Sequence, residues 1–130
     1  MKELLDAAIK VREFAVAPYS NFKVGAAVLT SSGKIYSGCN VESVTFTLTS
    51  HAEINAISNA IANGEKQIKK LLVVGTNYPP GFPCAICRQY ILEHCDQDVE
   101  IITANLSGEM RTSTISKLYP EAFIKFSSKA

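Results

Sequence analysis

The chain has no stretch of about 18 consecutive apolar residues, so nothing in it reads as a membrane-spanning helix. Its opening segment, MKELLDAAIKVREFAV, is interrupted by Lys2, Glu3, Asp6, Lys10, Arg12 and Glu13, which denies it the apolar centre of a secretion signal. No repeat, low-complexity tract or linker divides the sequence, and at 130 residues one domain spanning 1–130 is the expectation. An excess of either charge is missing too. A net charge of +1 offers no broad attraction to nucleic acid, so a small neutral partner fits. These absences describe a cytoplasmic chain with reduced thiols. Its four cysteines, Cys39, Cys84, Cys87 and Cys95, are then better suited to metal or redox chemistry than to structural disulfides.

Apolar residues make up 47% of the chain, ample for a buried core. Glu3 to about Val16 carries apolar residues at three- and four-residue spacings, the pattern of an amphipathic helix stopped before Pro18. FKVGAAVLT and KIYSGCNVE flank the turn SSGK and predict an antiparallel hairpin. A second helix is expected from about Ser50 to Asn63, with Ile54, Ile57 and Ile61 along its apolar face and Gly64 just past its end. KLLVVGT and VEIITAN read as apolar strands. Between them, the loop NYPPGF leads to a third helix with Pro83 in its first turn, running through about Glu93. STISKLY is expected to form a short final helix. The alternation predicts a layered α/β domain in which helical crossovers make the later strands parallel.

The polar residues of greatest interest sit at the starts of the second and third helices. Cys84 and Cys87 are three apart, so their thiols project on one side of a first helical turn, where the helix end favours thiolate. If both helices follow parallel strands on one face of the sheet, His51 can meet them. A His, Cys, Cys donor set suits zinc and leaves one position open, and Glu53 is placed to act on a water there.

Other readings compete for these residues. Ser50 and Glu53 have the spacing of a capping box. Cys84 and Cys87 alone have the spacing of a thioredoxin-like dithiol. A structural zinc site closed by Cys39, His94 or Cys95 is a further alternative. Individually, Cys39 reads as a strand residue, His94 and Cys95 as a helix end, and Lys66, Lys69 and Lys70 as a solvated cluster.

Together, His-x-Glu and Pro-Cys-x-x-Cys match the known signature of zinc deaminases. From about Ala7 to Phe123 the chain also resembles the short homotetrameric cytidine deaminases, through the ordered blocks APYSNFKVGAAVLT, GKIYSGCNVES, HAE and PCAICRQ. The resemblance implies a three-layer α-β-α fold around a mixed sheet of about five strands, one Zn²⁺ per subunit, and a homotetramer acting on a pyrimidine nucleoside. By the same resemblance His51, Cys84 and Cys87 are zinc ligands and Glu53 is the proton shuttle. Phe22 lines the nucleoside pocket, Asn40 and Glu42 bind the ribose hydroxyl, and the backbone of Ala52 contacts the pyrimidine. Phe123 matches a C-terminal aromatic that reaches a neighbouring subunit's base. The implied reaction is hydrolytic deamination of cytidine or deoxycytidine. A related nucleoside, a nucleotide or polynucleotide, a blasticidin S-like substrate and a non-catalytic zinc-binding module are the alternatives.

Three departures from the family pattern stand out. The family usually has cysteine where this chain has His51, and arginine where it has Ile54. A neutral imidazole with two thiolates makes a neutral zinc site, so a compensating arginine is dispensable. FPCAIC also replaces Ser-Pro-Cys-Gly-Ala-Cys, which makes the loop bulkier at Phe82, Ala85 and Ile86.

Overall fold

A computed structural model describes residues 1–124. Its elements are α1 (Lys2–Arg12), β1 (Gly25–Thr30), β2 (Ile35–Cys39), α2 (Ala52–Ala62), β3 (Ile68–Val74), α3 (Ala85–His94), β4 (Glu100–Ala104), β5 (Met110–Thr114) and α4 (Ile115–Leu118). The five strands form one mixed sheet in the order β2-β1-β3-β4-β5. Only β3 and β4 are parallel neighbours, with Leu71 opposite Ile101 and Val73 opposite Thr103.

Successive strand side chains point to opposite faces, and both faces here are covered, which is why β3 and β4 read as continuous apolar runs. On one side Leu72, Val74, Ile102 and Ala27 pack with Leu4 and Ala8 of α1. On the other, Leu71, Val73, Ile101 and Val28 pack with Ala56, Ile57 and Ala60 of α2, Ile91 of α3 and Ile115 of α4. The result is the expected three-layer arrangement.

Element boundaries depart from the sequence reading where pairing partners intervene. The first helix stops at Arg12 rather than near Val16, because Val16 is drawn into a bridge with Val41 and its amide donates to the Asn40 carbonyl. The second helix begins two residues later than expected. Ser50 pairs with Val41 through both backbone groups, leaving His51 as the extended residue before the first helical turn. Pro83 precedes the cap of α3 instead of lying in its first turn, and Cys84 takes the cap.

The segment before the final helix also holds a strand with no clear sequence signal. β5 runs antiparallel to β4 at the sheet edge and is partly exposed along its length, so Arg111, Thr112 and Ser113 carry no apolar alternation. It completes the five-stranded sheet. α4 is correspondingly shorter than STISKLY suggested.

Candidate metal and nucleoside site

β2 and β3 both lie antiparallel to β1 and are therefore parallel to one another. The helices that follow them, α2 and α3, start at the same edge of the sheet. Asn55 secures that start by donating from Nδ2 to the Cys39 carbonyl at the end of β2, 2.7 Å away. This topology brings together residues 33 and 36 positions apart in sequence.

His51 Nδ1 lies 3.3 Å from Cys84 Sγ and 3.3 Å from Cys87 Sγ. Donor atoms on zinc bonds of ordinary length and tetrahedral angle would be about 3.6 Å apart, so the three side chains are close to binding geometry. Among the described residues, these three form the His/Cys/Asp/Glu cluster whose ligand atoms converge within 4.8 Å. Three convergent donors without a fourth fit a catalytic zinc with one open position. A structural site closed by Cys39, His94 or Cys95 is not formed: Cys39 ends β2, His94 stacks on Tyr90, and Cys95 follows α3.

Cys87 is fully buried. Burial foremost, then the nearby Glu53 and Cys84, push its thiol far above the ordinary range. Burial thus outweighs any preference of the helix end for thiolate, and a bound cation would supply the opposing stabilisation.

Glu53 is 7% exposed, and burial raises its carboxyl pKa against smaller opposing effects of its own backbone amide, His51 and Cys87. A capping box with Ser50 is absent, since the Ser50 amide is already donated to Val41. Glu53 is therefore a buried acid beside His51 and Cys87 with no helix-capping task.

A cavity of about 530 Å³ opens over this centre. Phe22, Asn40, Glu42, His51, Ala52, Glu53 and Cys84 all lie on its wall, so seven of the nine residues singled out from sequence share one space. Of the other two, Cys87 lies buried beside His51, whereas Phe123 is an exposed residue outside its own chain's cavity. The Phe123 carbonyl accepts from Gln89 Nε2 at 2.8 Å.

Asn40 and Glu42 hold the cavity wall as well as facing it. Asn40 Oδ1 accepts from the Val24 amide at 2.8 Å, and its Nδ2 donates to the Phe22 carbonyl at 2.9 Å. Glu42 Oε1 accepts from the Tyr19 and Ser20 amides at 3.0 and 3.1 Å, and Oε2 accepts from the Ser20 hydroxyl. The Ser20 hydroxyl bond is the main reason the Glu42 pKa is lowered, so the cavity keeps a negative charge on this side.

Sequence reasoning missed several wall residues. Ser20 was visible only as part of a motif block, and the loop around Tyr78 to Phe82 only as a connection. That loop is braced from β4 and β5: Thr103 Oγ1 donates to the Gly81 carbonyl at 2.7 Å, and the Arg111 guanidinium lies 4.9 Å from the Phe82 ring centre. Ile54 faces a more open hollow with Tyr19, Phe46 and Ile86, on the other side of His51.

Comparison with known proteins follows the same lines. The family model described as the cytidine and deoxycytidylate deaminase zinc-binding region matches residues 1–103. The cytidine deaminase of Sporosarcina psychrophila is 40% identical over 125 residues, covering 96% of this chain and 92% of its own length. That of Halalkalibacterium halodurans is 38% identical over 120 residues, with 92% and 91% covered. The crystal structure of cytidine deaminase from Burkholderia pseudomallei superposes with a TM-score of 0.89 at 40% identity, covering 94% of this chain and 98% of the other.

Proposed function

The chain belongs to the zinc-binding cytidine and deoxycytidylate deaminase family, and from that premise we propose the reaction and the part each residue takes in it. The protein is a cytidine deaminase: it hydrolyses the exocyclic C–N bond of cytidine or deoxycytidine, releasing ammonia and uridine or deoxyuridine. The observation that carries this reading is the meeting of His51, Cys84 and Cys87 beside a buried glutamate, with His51, Glu53 and Cys84 on the wall of one cavity.

His51, Cys84 and Cys87 would hold zinc. When bound, the ion supplies Lewis acidity that makes water nucleophilic near neutral pH. Glu53 accepts a proton from the attacking water and delivers it to ring N3, which makes C4 more electrophilic. It then helps protonate the departing amino group. Its burial suits that task, because desolvation raises the carboxyl's proton affinity and so makes it a stronger base towards the water. Phe22 presents an aromatic wall to the nucleoside, the Ala52 backbone contacts the base, and Asn40 and Glu42 accept or donate to the ribose hydroxyl with the valences their wall contacts leave.

The charged Glu42 also favours a nucleoside over a nucleotide, since a phosphate nearby would be repelled. No helix among the described residues is long and apolar enough to cross a membrane, and the proposed setting is the cytoplasm. Residues 1–130 act as one domain in this reading. A homotetramer, with Phe123 reaching a neighbour's cavity, completes the assignment.

An ultraviolet assay with cytidine, deoxycytidine, deoxycytidine monophosphate and blasticidin S, run beside a zinc determination, tests the proposal. Loss of nucleoside absorbance by the zinc-loaded protein is expected. Preference for the monophosphate would move the substrate to nucleotides, and inactivity on all four would leave a zinc-binding module. A monomeric mass in solution would refute the Phe123 assignment.

A further inference from the structure

Arg12 ends α1, the layer on the far side of the sheet from α2 and α3, and no catalytic task calls for it. Its side chain is nevertheless only 14% exposed. The buried part points to the edge of the cavity. Arg12 Nε donates to the Gly75 carbonyl at 2.5 Å and to the Lys23 carbonyl at 3.1 Å. One N–H thereby joins two segments with no strand pairing between them at that point: the chain immediately after β3 and the chain immediately after Phe22.

Both segments are cavity wall, since Phe22, Val24, Gly75 and Thr76 line it. Phe22 lies directly against Gly75. A Cβ added at Gly75 would stand 3.0 Å from Phe22 Cζ, closer than the ring tolerates without shifting. The lack of a side chain at Gly75 lets the ring lie against the backbone without that shift. Asn40 grips the same segment from the other side, through Phe22 and Val24. The stem of Arg12 has little room to move, because α1 approaches β1 so closely that a Cβ at Gly25 would fall 2.8 Å from Arg12 Cβ.

We propose that Arg12 is a positioning residue for the substrate pocket: by tying Lys23 to Gly75 it holds Phe22 in the place where it meets the nucleoside. The inference rests on the nucleoside-deaminase reading for its kinetic consequence, while the tie itself is a property of the fold. The effect is expected in ground-state binding. The donors His51, Cys84 and Cys87 and the proton shuttle Glu53 stand in or at the starts of α2 and α3, whereas the hydrogen bonds of Arg12 go to Lys23 and Gly75.

The test uses zinc-loaded full-length protein carrying Arg12→Met, which keeps the apolar stem and removes the donor, and Arg12→Lys, which keeps a cationic donor at the end of a stem of similar length. Arg12→Met should raise KM for cytidine about fivefold with kcat within about twofold, the scale of one or two lost hydrogen bonds. Zinc content should stay unchanged, and Arg12→Lys should recover most of the KM. Gly75→Ala should also raise KM, and the double variant should fall short of the product of the two effects, because both displace the same ring. Amide hydrogen exchange over 21–24 and 75–76 should quicken in Arg12→Met while α2 and α3 keep their protection.

Unchanged KM and unchanged exchange would overturn the proposal, as would kcat, zinc and melting temperature falling together without rescue by lysine. If the wild-type protein proved inactive on cytidine while the exchange effect appeared, the tie would stand and the nucleoside reading would fall.

Discussion

Replacing Glu53 by glutamine changes charge and proton affinity while leaving side-chain size nearly constant. The side chain is 7% exposed, and burial already disfavours its ionised form, so a neutral amide suits the folded protein at least as well. Glu53 is not among the three converging donors and does not cap α2, so zinc and the helix start should both survive. The loss falls on proton transfer. A positioned general acid–base contributes about 10² to 10⁴ in rate, which corresponds to about 2.7 to 5.5 kcal/mol of barrier. Turnover of cytidine, followed by ultraviolet absorbance, should fall by at least the lower figure, with zinc stoichiometry unchanged and the melting temperature equal or higher. Glu53→Asp keeps the acid but withdraws it by one methylene, and its activity should lie between the two. Turnover within about tenfold of wild type in zinc-replete Glu53→Gln would refute the assigned role.

Other outcomes follow from neighbouring features. Cys87→Ser should lose most bound zinc on dialysis against a mild chelator, with activity lost in parallel; full zinc occupancy in that variant would remove Cys87 from the ligand set. His51→Cys should turn a neutral donor set into one with net negative charge and slow turnover about tenfold or more, because the added charge weakens the ion's Lewis acidity. Adding Ile54→Arg should restore part of that loss, since residue 54 lies beside His51, and equal activity for the single and double variants would sink the coupling. Glu42 has a pKa below the ordinary 4.5, held down chiefly by the Ser20 hydroxyl. A carboxylate with a depressed folded-state pKa stabilises the protein above its unfolded value and loses that contribution as pH falls through the folded one. The melting difference between wild type and Glu42→Gln should therefore be full near pH 7 and shrink below about pH 4.5; a difference constant with pH would contradict the bonding seen.

The legible parts of the fold were those whose signal is local. The stretch 71–74 of β3 is buried on both faces, so an unbroken apolar run is what it requires, and the sequence shows one after Lys69 and Lys70. The spacing of Ile54, Ile57 and Ile61 marked α2 as a helix, but the face it buries is Ala56, Ile57 and Ala60, with Ile61 43% exposed, because the strands it packs against select the small residues. β5 gave no such signal, since an edge strand with half-exposed residues needs no alternation and is specified by its partner β4. The cap of α2 was misplaced for a related reason. Ser50 has the right chemistry to cap a helix, but its backbone is taken by Val41, a pairing no short-range rule contains.

The site divides the same way. Pro-Cys-x-x-Cys and His-x-Glu are short patterns, and a donor pair one helical turn apart can be recognised from spacing alone. Likeness to known deaminases then identified Phe22, Asn40 and Glu42, which no periodicity would single out. The amino-acid sequence by itself determined the ligand types, the glutamate two residues after His51 and the neutral charge that His51 confers. Tertiary structure alone decided that these groups converge, that Cys87 is too deeply buried to ionise readily without a cation, and that Arg12 reaches across to Phe22 and Gly75. The physical reason is range: helix and strand preferences act over a few residues, whereas the meeting of α2 with α3 depends on β2 and β3 running parallel with β1 between them.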